Sequence, residues 1–150
     1  MDLILWRHAE AEDARGGDDL GRPLTDRGRR QAERMAAWLG PRLAAGAQVL
    51  ASPARRCQET VAALGRPVAT VDAIAPGASG EAVLAAAGWP GAAGAVVVVG
   101  HQPTLGLAVA RALGESAARR SLRKGAVCWL RGGPGEGGAR IHASRSPDDV

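Results

Sequence analysis

Phenylalanine and tyrosine are absent from this chain, and four tryptophans are its only aromatic residues besides three histidines. A protein that holds single-stranded nucleic acid needs aromatic platforms for its bases, so nucleic-acid binding is not expected to be its task. Cysteine is nearly as scarce. Cys57 and Cys128 cannot build a disulfide framework and lack the paired spacing of metal ligands, so both read as small buried apolar residues. Long apolar runs are missing too, with nothing near the ~20 residues of a membrane helix. The run Leu3–Trp6 stops at Arg7, far short of a secretory leader, and a reduced cytoplasm is the expected location. Lysine occurs once, at Lys124, so arginine carries nearly all the positive charge behind a formal net charge of +4.

What is present suits one hydrophobic core, and residues 1–150 read as a single domain without internal repeat or linker. Alanine, glycine and arginine are abundant in the manner of a coding bias, which removes their functional weight. Asp2–Trp6 predicts a short buried strand ending at Arg7-His8. After a polar loop to about Gly21, Thr25 caps a helix to about Leu39, with Ala32, Met35, Ala36, Leu39 and Leu43 at helical spacing. Gln48–Ala51 predicts a second strand. Ser52-Pro53 then opens a helix to about Leu64, with serine as cap and proline at the first position. Val68–Val71 predicts a third strand, and Ser79 caps a helix through Ala87. Ala95–Val99 is β-branched and uncharged, as a strand covered on both faces should be. Gly100–Pro103 turns into a helix over Thr104–Leu113. Weaker strands at Ala126–Leu130 and Arg140–Ala143, joined by a glycine-rich turn over 132–138, add an antiparallel edge. Strands alternating with helices imply an α/β fold, a three-layer sandwich around a mostly parallel sheet.

Ligands bind such sheets where strands end and helices begin. Three polar constellations fall there: Arg7-His8, Ser52 to Arg56, and Gly100-His101. A neutral imidazole is a competent nucleophile toward phosphorus. Its attack needs positive groups around the three equatorial oxygens, and Arg7, Arg56 and a protonated His101 supply them. The first-turn N–H groups of the helix carrying Arg56 face the same anion. His142 lies in a weak terminal strand and reads as incidental. No cluster of carboxylates, cysteines or histidines has ligand spacing, so no metal and no other cofactor is expected.

In order and spacing these motifs resemble the histidine phosphatase superfamily: Arg7-His8, Ser52-Pro53-x-x-Arg56-Cys57-x-x-Thr60, and Gly100-His101. A fourth segment, Leu24-Thr25-x-x-Gly28-x-x-Gln31-Ala32, is similar to the family's entry into its first helix. The resemblance spans residues 1 to about 113, and the short length and Gly-His-x-Pro turn are closest to the compact bacterial SixA-type phosphohistidine phosphatases. It implies a phosphoglycerate mutase-like fold and a phosphate pocket of Arg7, His8, Arg56 and His101, with His8 the nucleophile and Arg55 on the surface. Ala9 replaces the family's usual glycine, a loss of backbone freedom that one methyl group makes tolerable. The proton donor to the leaving group is not identified by the motifs. Glu81 is one candidate; Glu10, Glu12, Asp18 and Asp19 in the first loop are others.

The expected reaction is hydrolysis of phosphohistidine on a protein, such as a phosphotransfer domain, through a phosphohistidine enzyme. The other nitrogen of the nucleophile donates to a backbone carbonyl, which sets the tautomer. One alternative is a phosphomonoesterase of small metabolites on the same scaffold; another is a non-catalytic phosphate-binding module. Between Arg111 and Arg145 stand eight basic residues and two acidic ones, a bias that suits an acidic partner protein.

Overall fold

The computed structural model of the chain describes residues 1–14, 16–115, 120–133 and 138–150. Six strands form one sheet: β1 (Asp2–Arg7), β2 (Gln48–Ala51), β3 (Ala69–Thr70), β4 (Ala95–Gly100), β5 (Val127–Arg131) and β6 (Arg140–Arg145). Their order across the sheet is β3-β2-β4-β1-β5-β6. The first four run parallel, and β5 and β6 pair antiparallel at one side. Four helices, α1 (Asp26–Leu39), α2 (Arg55–Ala62), α3 (Gly80–Ala87) and α4 (Thr104–Ala112), complete the layers. The centre of the expected glycine-rich turn, 134–137, lies outside the described residues, as does Arg119 of the basic stretch.

The pleat divides the central strands between two cores. Ile4, Trp6, Val97 and Val99 face α1 and α2, packing with Met35, Leu39, Cys57 and Val61. Leu3, Leu5, Val96 and Val98 face α3 and α4, packing with Val83, Leu84, Leu105 and Val109. Because β1 and β4 are covered on both faces, they show no polar alternation. The result is the three-layer α/β sandwich expected from the alternation of elements. Both cysteines are buried and unpaired, as read from the sequence.

Two helix caps follow the sequence reading. Thr25 accepts from the Gly28 N–H at 2.9 Å, and the Ser79 side chain accepts from Ala82 at 3.1 Å. Ser52 does not cap. Helix α2 begins at Arg55 with Ala54 at its N-cap, three residues beyond the serine. The Ser52 N–H instead continues the sheet by donating to the Val99 carbonyl at 3.1 Å, and its hydroxyl is taken by His101. A locally good cap signal is overridden by a tertiary partner. The third strand is also shorter than expected, two residues rather than four.

Candidate active site

The carboxyl ends of β2, β4 and β1 lie side by side, so Ser52, His101 and His8 leave the sheet as neighbours. Arg7 pairs with Gly100 in register, and the His8 N–H donates to the Gly100 carbonyl at 3.1 Å. The two imidazoles therefore face each other, with ring centroids 5.4 Å apart at 59°. Arg56 comes up from the first turn of α2 to the same point and is 4 % exposed. Arg7, His8, Arg56 and His101, named from separate parts of the chain, line one cavity of about 220 Å³. Arg22, Gln102 and Lys124 line it as well, with Ala11, Pro76 and Gly77.

The tautomer of His8 is fixed by its neighbour. Its Nδ1 lies 2.7 Å from the Ala9 carbonyl, an acceptor only, so Nδ1 carries the hydrogen and Nε2 keeps its lone pair. This is the carbonyl that the sequence left unnamed. Burial, opposed by that hydrogen bond and aided by Arg56, Arg7 and Arg22, lowers the His8 pKa to about 4. The ring is neutral at physiological pH. The turn holding it is tied down by Thr60, whose hydroxyl accepts from the Ala9 N–H at 3.0 Å and donates to the Arg56 carbonyl at 2.7 Å. No non-glycine residue among those described has a positive φ, so alanine at position 9 meets no backbone penalty.

His101 departs from expectation. The Arg56 guanidinium donates toward its Nδ1 at 3.4 Å, which leaves Nε2 to donate to the Ser52 hydroxyl at 2.7 Å. Burial, with Arg56 and His8 alongside, lowers its pKa to about 3, while Asp19 acts weakly in the opposite sense. His101 is therefore a neutral ring, not the cation anticipated from sequence. The same field that discharges it belongs to arginines that a phosphoryl dianion would offset, so ligand entry favours its protonation.

The arginines hold donors in reserve. Arg7 Nη1 donates to the Leu122 carbonyl at 2.8 Å, and Arg56 Nη1 donates to the Asp19 carbonyl at 2.8 Å. The Nε of each is buried and has no partner. An unpaired buried N–H is costly, and both belong to arginines that line the cavity. Asp19 also reaches Arg56 through its carboxylate at 3.2 Å and pairs with Arg22. These hydrogen bonds outweigh its partial burial and hold its pKa below the usual carboxylate value.

Of the suggested proton donors, Asp19 reaches the edge of the cavity through Arg56 and Arg22, and Glu81, Glu10 and Asp18 are engaged elsewhere. Glu81 stands on the first turn of α3 and pairs with Arg111 of α4 at 2.8 Å, both side chains largely exposed. Glu10 accepts from the Thr25 hydroxyl at 2.9 Å, and Asp18 from the Gly21 N–H at 3.1 Å. Among the described residues no carboxylate lines the cavity. Arg55 turns outward to Glu59 at 3.1 Å, which leaves Arg56 as the inward member of the pair. His142 is exposed on β6, edge-on to Trp129 at 5.3 Å. Much of the basic stretch is neutralised locally, since Arg111, Arg120 and Arg131 pair with Glu81, Glu115 and Asp2. Among the described residues no group of three potential ligands is placed to hold a metal ion, and no helix is long and apolar enough to cross a membrane.

Comparison with known proteins agrees with this geometry. Over 97 % of its length the chain is 30 % identical to a proposed phosphohistidine phosphatase SixA from Nakamurella multipartitia, covering 95 % of that protein with a TM-score of 0.80. The chain belongs to the histidine phosphatase superfamily. The profile of that superfamily, branch 1, matches residues 3–75. A protein histidine phosphatase SixA complexed with tungstate is 25 % identical over 99 % of this chain and 98 % of its own, with a TM-score of 0.79. A proposed SixA from Agrobacterium tumefaciens shares the fold at a TM-score of 0.82, with 24 % identity over 97 % of both chains. No curated protein sequence matches. As a histidine phosphatase, the protein is a phosphatase enzyme with a phosphoglycerate mutase-like sheet.

Proposed function

We propose that this phosphatase removes phosphoryl groups from phosphohistidine on a protein, with His8 as a covalent nucleophile and residues 1–150 acting as one catalytic domain. The observation that carries the substrate reading is a cavity walled by cations and imidazoles with no carboxylate among the described residues of its lining. An alkyl phosphate needs a protein acid to protonate its departing oxygen. The P–N bond of phosphohistidine breaks readily once the substrate imidazole is protonated, and such an acid matters less.

In the first transfer His8 Nε2 attacks phosphorus in line as the bond to the leaving nitrogen breaks, and the substrate ring, already protonated on its other nitrogen, leaves as neutral imidazole. The guanidinium groups of Arg7 and Arg56, both in the cavity lining, stand ready for the equatorial oxygens where charge is carried. The Ala9 carbonyl supports the nucleophile as its ring becomes positive. In the second transfer water attacks the phosphohistidine enzyme, its oxygen passes to phosphorus, and His8 returns with inorganic phosphate released.

Rapid mixing with labelled substrate tests the covalent step. An acid-labile, alkali-stable phosphoenzyme is expected, absent in His8→Ala; a fully active His8→Ala enzyme would sink the mechanism. The substrate is tested by kcat/KM for a phosphohistidine protein against a panel of phosphomonoesters. A metabolite preferred by tenfold or more replaces this reading with that of a small-molecule phosphatase.

A further inference from the structure

Lys124 is the only lysine in a chain whose other basic residues are arginines, and it lines the cavity that holds His8. Its side chain is exposed, but the backbone that carries it is held on both sides. On one side the Leu122 carbonyl accepts from Arg7 Nη1 at 2.8 Å. On the other, the Gly125 N–H donates to the His8 carbonyl at 3.0 Å and the Gly125 carbonyl accepts from Trp6 Nε1 at 3.1 Å. Gly125 takes φ +76° there, and a Cβ would press on Pro147. The backbone that carries Lys124 is thus strapped to the strand end that carries Arg7 and His8.

The charges around the cavity do not balance with a phosphoryl group alone. Four cations line it, Arg7, Arg22, Arg56 and Lys124, and Asp19 answers Arg22 and Arg56 from outside. A phosphoryl dianion together with Asp19 brings three negative charges to these four cations. Lys124 is the one left over, since no ion pair among the described residues includes it.

We infer that Lys124 receives a carboxylate carried by the substrate beside its phosphoryl group, so that the pocket selects phosphorylated residues with an acidic neighbour. For protein substrates this rests on the phosphohistidine reading above; the charge selection itself does not. A compact ammonium on a braced backbone suits one such group, whereas a guanidinium would demand a planar, bidentate partner.

Calorimetric binding of two non-hydrolysable ligands, phenylphosphonate and 2-carboxyphenylphosphonate, tests the selection without turnover. The wild-type protein should hold the carboxylated ligand about tenfold more tightly, as one charge-assisted contact allows. Lys124→Ala should remove most of that preference while weakening the plain phosphonate far less. Lys124→Arg should keep part of it, and Lys124→Glu should reverse it. Equal losses for both ligands in Lys124→Ala, a preference that survives the substitution, or no binding of either ligand at millimolar concentration would each overturn the inference. A second arm compares phosphohistidine peptides with acidic and neutral neighbours, where Lys124→Ala should raise KM for the acidic peptide and leave its kcat within twofold. If neither peptide is hydrolysed but the phosphonate preference depends on Lys124, the substrate reading fails and the selection stands. If both peptides are hydrolysed and Lys124→Ala discriminates in neither arm, the selection fails and the substrate reading stands.

Discussion

At pH 7.5 His8 and His101 are neutral in the folded protein and mostly neutral in the unfolded chain. At pH 5.0 the two states part company. An unfolded histidine near 6.5 has taken up its proton, while in the fold the two rings, near 4 and 3, remain neutral. The unfolded state then binds more protons, so stability must fall as pH falls below 6.5 and is fully present above it. One and a half pH units at ~1.4 kcal/mol each give about 2 kcal/mol per histidine, or about 4 kcal/mol for the pair. That is a large part of the roughly 5–15 kcal/mol that holds a domain together. It corresponds to a drop of about 8–16 °C in Tm for a chain of this size. The carboxylates Asp2, Asp19 and Glu59 have lowered pKa values, so what they contribute is lost only below about pH 4.5, outside this window. Urea unfolding at pH 7.5 and 5.0 reads the difference directly. His8→Asn and His101→Gln should each remove about half of it, and saturating tungstate should flatten it by favouring the imidazolium form. Equal stability at the two pH values, or an undiminished difference in the double variant, would refute the claim that both rings are held neutral by burial and by their arginines.

Two further outcomes follow from the geometry. Arg56→Ala should lower kcat toward an aryl phosphate by about 10²–10³, the usual cost of one donor to the developing charge, whereas Arg55→Ala, which loses only an exposed pair with Glu59, should change kcat less than twofold; the reverse order would mean that the inward arginine has been misassigned. Gly28→Ala should destabilise the fold by roughly 1–3 kcal/mol in urea unfolding, because a Cβ there would overlap the Glu10 carbonyl oxygen that also accepts the Thr25 N–H; a loss under about 0.5 kcal/mol would show that the first loop yields freely.

The architecture was legible because its signals are local. An unbroken Val96–Val99 run has no polar face to offer, and so it declares a strand buried on both sides. Thr25 and Ser79 are followed by free N–H groups within their own helices, and so their caps form without distant help. Ser52 carries the same local signature, yet its hydroxyl is needed by His101, 49 residues away, and the helix begins later. Glu81 was a reasonable acid by position alone. The packing of α3 against α4 gives it Arg111 instead and keeps it away from the cavity.

By itself the sequence determined the alternation of strands and helices, the three strand ends where chemistry can gather, and the residues most fit to carry it: Arg7, His8, Arg56 and His101. Residue type and short-range spacing suffice for that, because backbone geometry turns them into faces and ends. The tertiary structure alone decided the state of those residues. Only packing shows that His101 is neutral, that Ala9 sets the tautomer of His8, and that two Nε donors are left without partners. Lys124 joins His8 although 116 positions separate them in the chain, because the Leu122 carbonyl accepts from Arg7 and the Gly125 N–H donates to the His8 carbonyl. Desolvation and Coulomb interactions depend on distance in space, and a linear pattern does not contain that distance.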